Sequence, residues 1–222
     1  MAVGTIAYCS REDHVAPVFA TCLARLLQRH PDAFLLHAIG TNIADQRNQV
    51  VRELQGDWVW FIDSDMVFAA DTLTALLARN VPVVQTLCVN RHPPHEPILH
   101  TATAARRDAA PVGTPRLVEV EAVGSGGTLY RREVFATIPA PWFEGVLGTE
   151  DMTFARKLKA AGVLLYCDLA VPVGHLTPTI VWPRYEGDGT WGIRYQAMNG
   201  LAIQLPRMTP PGLVEVPALT IS

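Results

Sequence analysis

Asp57-Trp58-Val59-Trp60-Phe61-Ile62-Asp63-Ser64-Asp65-Met66-Val67-Phe68 is the stretch that decides the reading of this chain. Residues 58–62 carry no charge and are aromatic or β-branched, as expected of a strand covered on both faces. Two acids, Asp63 and Asp65, end the apolar run. In an open α/β sheet the carboxyl end of a strand faces the ligand crevice, so these acids stand where a functional carboxylate is expected. Side chains at i and i+2 of a strand point the same way, and both carboxylates can reach one cation if the strand geometry persists through Asp65. A plainer reading stands beside this one. Short acidic turns cap helices, and Asp71 before Thr72-Leu73 has the pattern of such a cap.

Working outward, strands and helices alternate. Residues 2–8 read as a first buried strand, followed by the polar turn Cys9-Ser10-Arg11-Glu12-Asp13. Val15, Val18, Phe19, Cys22, Leu23, Leu26 and Leu27 recur near a 3.6-residue period, which predicts a helix over 14–30. Residues 34–39 form a second strand and 43–54 a second helix. The acid-ended strand comes third, a helix over 71–80 ends at Asn80 and Pro82, and 81–89 is another β-rich run. Alternation with short connections is the pattern of a doubly wound α/β sheet. The first ninety residues look like a nucleotide-binding half.

Beyond residue 90 regularity is lost. Arg91-His92-Pro93-Pro94-His95-Glu96-Pro97 is proline-rich, and 101–114 is small, polar and basic. A zinc cluster of His92, His95, Glu96 and His100 can be drawn, but three prolines in seven residues make a rigid turn the simpler account. Residues 117–123 alternate as a strand, Gly124-Ser125-Gly126-Gly127 follows, and Arg131-Arg132-Glu133-Val134-Phe135 starts a short helix. Thr149 can cap a helix over 150–161 that stops at Gly162, before a strand at 163–167. From Thr177 onward the prolines and glycines, with Trp182, Tyr185, Trp191 and Tyr195, suggest a tail laid over the core.

Composition narrows the class. The 222 residues carry a formal charge of −3, so no global basic field argues for nucleic acid. Cys9, Cys22, Cys88 and Cys167 have no metal-ligand spacing, and three lie in or beside apolar runs, the pattern of buried reduced thiols in a cytoplasmic protein. No run reaches the eighteen or so apolar residues of a membrane span.

Five separated motifs resemble the family-2-like glycosyltransferases of the GT-A fold. They are Asp45-Gln46-Arg47-Asn48, Phe61-Ile62-Asp63-Ser64-Asp65, Gly124-Ser125-Gly126-Gly127 with Arg131-Arg132-Glu133-Val134-Phe135, Gly148-Thr149-Glu150-Asp151, and Asp168 with His175. The resemblance implies one GT-A catalytic domain over 1–222: a mixed, mostly parallel α/β sheet flanked by helices. Within it, 1–100 is the nucleotide-sugar half, 101–185 the acceptor and metal half, and 186–222 the tail. It implies that Arg47 and Asn48 hold the nucleotide, that Asp63 lies near ribose or base, and that Gly126 and Gly127 lie near the donor sugar. Asp65, with His175 and Asp63, is implied as the metal site, and Asp151 or its neighbour Glu150 as the general base. Ser10-Arg11-Glu12-Asp13 departs from the family's usual turn, which leaves Arg11 the weakest of the donor contacts.

The chemistry points the same way. A departing nucleoside diphosphate gathers charge that Mg²⁺ or Mn²⁺ in a carboxylate cradle can meet. An imidazole among the ligands tilts the choice toward Mn²⁺. The expectation is an inverting transfer from a nucleotide sugar, a UDP-sugar above all, to an acceptor hydroxyl. Compact soluble relatives occur in bacteria and their phages, which leaves open a hydroxymethylated pyrimidine in DNA as acceptor. Arg91, Arg106, Arg107, Arg116, Arg131, Arg132, Arg184 and Arg194 would line its phosphate path if they cluster. Small glycans and metabolites are the alternative acceptors. A nucleotidyltransferase would want a glycine-rich, lysine-bearing loop after the first strand, which Cys9-Ser10-Arg11 does not provide. A sugar-nucleotide-binding module without catalysis would not need Asp63, Asp65, Glu150 and Asp151 intact. Oligomeric state is not legible.

Overall fold

Side-chain alternation along the strand at 58–62 sorts two cores. In the computed structural model, which describes residues 3–11, 15–91, 97–100, 117–145, 149–177, 179–185, 191–197 and 202–205, this strand is β3 (Trp58–Ile62). Val59 and Phe61 face one core with Val50, Val51, Phe154, Ala155 and Leu158. Trp58, Trp60 and Ile62 face the other with Phe19, Leu23, Leu26, Leu73 and Leu76. Those partners lie on four helices, α1 (Pro17–Arg29), α2 (Ile43–Glu53), α3 (Thr72–Ala78) and α4 (Glu150–Ala160). A sheet therefore runs between α1 with α3 and α2 with α4, the three-layer arrangement that an all-apolar strand requires.

β1 (Thr5–Ser10), β2 (Phe34–Ile39), β3, β5 (Val83–Leu87), β6 (Leu117–Val120), β7 (Gly127–Arg131) and β8 (Leu165–Pro172) form this sheet in the order β2-β1-β3-β7-β5-β8-β6. β1 pairs parallel with β2 and β3, and β5 pairs parallel with β8. β7 runs antiparallel to β3 and β5, and β6 antiparallel to β8, so five of the seven strands share one direction. The mixed, mostly parallel sheet expected from sequence is present. β7 lies between β3 and β5, so the two expected halves of the chain share one sheet. Gly127 opens the way: a Cβ there would lie 2.2 Å from the Thr86 hydroxyl.

A second sheet departs from the sequence reading. β4 (Met66–Val67), β9 (Gly174–Thr177), β10 (Thr179–Tyr185), β11 (Trp191–Ala197) and β12 (Ala202–Leu205) make an antiparallel sheet in the order β12-β11-β10-β9-β4. The segment read as a tail is therefore largely strand over its described residues. Trp182 and Tyr195 are half-buried, not exposed, because neighbouring strands supply the backbone pairing that prolines and glycines had seemed to exclude. Trp182 packs under the guanidinium of Arg194, 5.4 Å from the ring centre.

Boundaries shift for local reasons. α1 begins at Pro17, whose missing N–H costs nothing in the first turn, and not at 14. Asn42 caps α2 by accepting from the Ala44 and Asp45 N–H groups. Asp71 occupies the N-cap position of α3 but makes no side-chain capping bond. All four cysteines are buried and free. No helix among the described residues is long and apolar enough to cross a membrane. His92, His95 and Glu96 lie outside the described residues, as do Arg106, Arg107 and Arg116.

Candidate functional site

The parallel strands β1 and β3 end together, and a cleft of about 420 Å³ opens over their carboxyl ends. That volume is within the range of small-molecule sites. Cys9, Ser10 and Arg11 come to it from β1, and Asp63, Ser64 and Asp65 from the end of β3. The first two turns of α2 bring Gln46 and Arg47, and Thr149, Glu150 and Asp151 arrive at the start of α4, with Arg91 from the segment after β5. Two helix N-termini thus border a space that an anion could enter.

Strand pairing stops at Ile62, and the next residues form a turn closed by the Met66 N–H on the Asp63 carbonyl at 3.0 Å. The strand geometry that would have aimed Asp63 and Asp65 at one cation does not persist. Asp63 Oδ1 instead accepts from Arg47 Nη2 at 3.1 Å. Asp65 Oδ2 lies 2.9 Å from Arg91 Nη2 and 3.3 Å from His175 Nε2. Asp63 thus meets Arg47, whereas Asp65 is the acid that faces His175. Among the described residues no three His, Cys, Asp or Glu side chains gather as a metal cluster.

His175 reaches Asp65 through the second sheet. Met66 of β4 pairs with His175 of β9, and the Leu176 N–H donates to the Asp65 carbonyl at 2.7 Å. His175 Nδ1 sits 3.0 Å from the Val89 carbonyl, which only accepts, so Nδ1 carries a hydrogen and Nε2 points at Asp65. A bare Nε2 lone pair facing a carboxylate oxygen needs a proton or a metal cation between them. Burial would push the imidazole down, but Asp65 outweighs it and holds His175 above its ordinary value. Burial likewise works to raise Asp65, and His175 and Arg91 together hold it below the usual carboxylate range. The pair fits a divalent cation: a carboxylate oxygen and an imidazole whose other N–H is anchored to a backbone carbonyl. Two protein ligands would leave the remaining positions open to water or to a bound ligand's oxygens.

Arg47 is buried on α2, where Glu150 and Asp63 both pair with it. Burial would push its guanidinium down, and Asp63, Glu150 and Asp151 overturn that and hold it above its ordinary value. Its Nε, like Gln46 Oε1, is buried and has no hydrogen-bond partner among the described residues. Asp151 is held by neutral donors. Its Oδ1 accepts from the Met152 N–H at 2.7 Å and from the Thr149 hydroxyl, and its Oδ2 from the Ser125 N–H at 3.3 Å. Burial pushes the Cys9 thiol up to about 12, which removes it as a nucleophile.

Three residues expected to touch a donor do not reach the cleft. Asn48 is spent on backbone: its Oδ1 accepts from the Trp142 and Phe143 N–H groups at 3.0 and 3.1 Å, and its Nδ2 donates to the Phe143 carbonyl at 2.8 Å. Gly126 and Gly127 make room for side chains behind the cleft. A Cβ on Gly126 would lie 2.4 Å from Asp63 Oδ2. Gly126→Ala is expected to cost about 1 kcal/mol, the low end for overpacking since the carboxylate can swing away; equilibrium urea unfolding measures it, and an unchanged midpoint would contradict the packing. Asp168 also stands apart. It is fully buried on β8 in a two-bond pair with Arg79, at 2.6 and 3.0 Å.

Arg91 was read from sequence only as a possible phosphate-path residue, yet it lies on Asp65. Its place after a β-rich run was the available signal. Of the other arginines read as a phosphate path, those among the described residues, Arg131, Arg132, Arg184 and Arg194, do not border this cleft. Arg132 donates to the Leu54 and Gly56 carbonyls and Arg131 to Leu77, at the opposite end of β3.

Residues 20–81, which run from α1 through Asp63 and Asp65 to the end of α3, match the family described as Glycosyl transferase family 2. No curated protein matches the chain by sequence. The fold is similar to that of A197 from STIV, with a TM-score of 0.58 and 15% identity over 97% of this chain and 100% of that one. It is also similar to GalNAc-T7, solved with UDP, GalNAc and Mn²⁺, with a TM-score of 0.51 and 11% identity over 78% of this chain. The likeness spans 43% of the GalNAc-T7 chain, less than half of its length.

Proposed function

We propose that the chain, whose residues 20–81 match Glycosyl transferase family 2 and whose fold is that of the GT-A neighbours, is a family-2-like glycosyltransferase that moves a sugar from a nucleotide donor to an acceptor hydroxyl, with inversion. The observation that carries the reading is the cleft itself: Asp65, backed by His175, on one wall, and Glu150 with Asp151 on another. A UDP-sugar is the donor class that fits the sequence resemblance. GalNAc-T7, solved with UDP and Mn²⁺, supports the choice.

Asp65 Oδ2 and His175 Nε2 would hold Mn²⁺ or Mg²⁺. Bound there, the cation would supply positive charge to the leaving diphosphate. Arg11 and Arg91 border the same space and can meet phosphate oxygens. Across the cleft the acceptor oxygen attacks the anomeric carbon as the bond from that carbon to the phosphate oxygen breaks. Asp151 Oδ1 already accepts two hydrogen bonds and Oδ2 one, so Oδ2 keeps a lone pair for the hydroxyl proton. Arg47, fixed between Asp63 and Glu150, ties the donor wall to the acceptor wall. One base and one displacement invert the anomeric centre.

The acceptor that best suits the surface is a small hydroxyl compound such as a glycan or metabolite. A DNA acceptor would need a phosphate path, and among the described residues Arg131 and Arg132 donate instead to backbone carbonyls at the opposite end of β3. Four buried free thiols support a reducing, cytoplasmic setting.

The test is release of nucleotide from a panel of UDP-, GDP- and CMP-sugars with Mn²⁺, with and without hydroxymethylated duplex DNA. Metal-dependent release from one donor supports the reading, and stimulation by the duplex would overturn the choice of acceptor. Binding of a donor without turnover in the presence of any acceptor would favour a binding module. Asp65→Asn and His175→Ala are each expected to raise the Mn²⁺ concentration for half-maximal release by at least about ten-fold. Full activity of either variant at unchanged Mn²⁺ takes that residue out of the site.

A further inference from the structure

We propose that Arg91 is an exchange residue: its guanidinium holds Asp65 while the site is empty of donor, and moves to the donor's diphosphate when a divalent cation takes Asp65. The inference rests on the donor-site reading above and adds to it the order in which the charges are traded. Arg91 Nη2 stands 2.9 Å from Asp65 Oδ2, the same oxygen that His175 Nε2 faces at 3.3 Å. A cation on that oxygen and a guanidinium at 2.9 Å repel each other, so both cannot stay. His175 remains in place because Val89 holds its Nδ1. Arg91, two residues on from Val89 and 48% exposed, is the group able to leave.

The exchange costs little. An ion pair this exposed contributes weakly to stability, because water screens it and the long side chain loses freedom in making it. Arg91 borders the cleft, and a guanidinium's planar fork matches phosphate better than any other cationic side chain. Without a cation, Arg91 neutralises Asp65 and keeps it from rearranging onto His175 alone. With cation and donor present, the released charge falls on the diphosphate that must depart. Arg91 therefore opposes metal binding to the empty site and favours nucleotide binding to the loaded one.

Those two effects have opposite signs, which a purely structural role would not produce. Mn²⁺ binding is measured by calorimetry on the full chain without nucleotide, followed by UDP titration at saturating Mn²⁺, for the parent, Arg91→Met, Arg91→Lys and Asp65→Ala. Arg91→Met is expected to bind Mn²⁺ about five-fold more tightly, the factor a weak surface pair represents, and UDP about ten-fold more weakly. Arg91→Lys should fall between the parent and Arg91→Met in both. Unchanged Mn²⁺ affinity or unchanged UDP affinity in Arg91→Met overturns the exchange, while loss of Mn²⁺ binding in Asp65→Ala leaves the site reading standing. Mn²⁺ binding that Asp65→Ala does not weaken, or no binding by any of the four proteins with or without UDP, overturns the metal site itself and the exchange with it.

Discussion

Asp151→Asn is expected to lower the turnover of sugar transfer by about 10²- to 10⁴-fold, the range for removing a positioned general base. The amide keeps an oxygen for the Met152 N–H and Thr149 hydroxyl, so the start of α4 stays folded. What it loses is Oδ2 as an acceptor: the amide nitrogen in its place can take neither the Ser125 N–H nor the hydroxyl proton. UDP affinity should change by less than about two-fold, since a base that acts only in the transition state contributes little to ground-state binding. Glu150→Gln is the companion variant. Glu150 is committed to the buried Arg47, so its loss should act on stability and donor placement before it acts on the proton. Steady-state kinetics with separate kcat and KM, together with UDP calorimetry, decide between the two acids. If Glu150→Gln abolishes turnover and Asp151→Asn does not, the base is Glu150 and the assignment made here fails.

Arg47→Met is expected to have the largest effect on stability, about 3 kcal/mol. Breaking a buried pair by removing one partner costs about 3–5 kcal/mol, because the other charge stays buried without compensation. Glu150, with 13% of its side chain exposed, meets that condition, whereas Asp63 at 36% is partly solvated and its share is screened. The low end of the range follows. In a chain of this size that loss corresponds to a fall in Tm of about 6–12 °C. Adding Glu150→Gln to Arg47→Met should recover part of it, since the orphaned carboxylate is the main source of the penalty. A loss below about 1 kcal/mol, or no recovery in the double variant, would mean that water reaches the guanidinium and that Arg47 does not brace the two walls.

Much of this was legible from residues alone, and the reason is range. The uncharged run at 58–62 announces a strand covered on both sides, and the alternation along it separates Trp58, Trp60 and Ile62 from Val59 and Phe61 as the two cores do. Thr149 followed by Glu150 and Asp151 opens a helix, and the acids fall at the cleft because α4 starts there. Each of these depends on neighbours within a turn or a pleat, and on the rule that parallel strands present their carboxyl ends to ligands. The second sheet escaped notice because strand pairing is long-range: prolines and glycines in 179–197 weaken a local strand signal that β10 and β11 restore by pairing with each other.

The sequence by itself determined the alternating α/β architecture, the place of Asp63 and Asp65 at a strand end, and the approach of Glu150 and Asp151 on a helix start. Only the tertiary structure decided which partner each acid meets. A turn after Ile62 sends Asp63 to Arg47 and Asp65 to the other side, where pairing of β4 with β9 delivers His175 from more than a hundred residues away. Burial paired Arg47 with Asp63 and Glu150 at the cleft, committed Asn48 to backbone, and left Arg91 on Asp65. Local residue patterns specify what an element is and which face it buries. Which charges neutralise one another depends on distances between elements far apart in the chain, and those exist only after the sheets have closed.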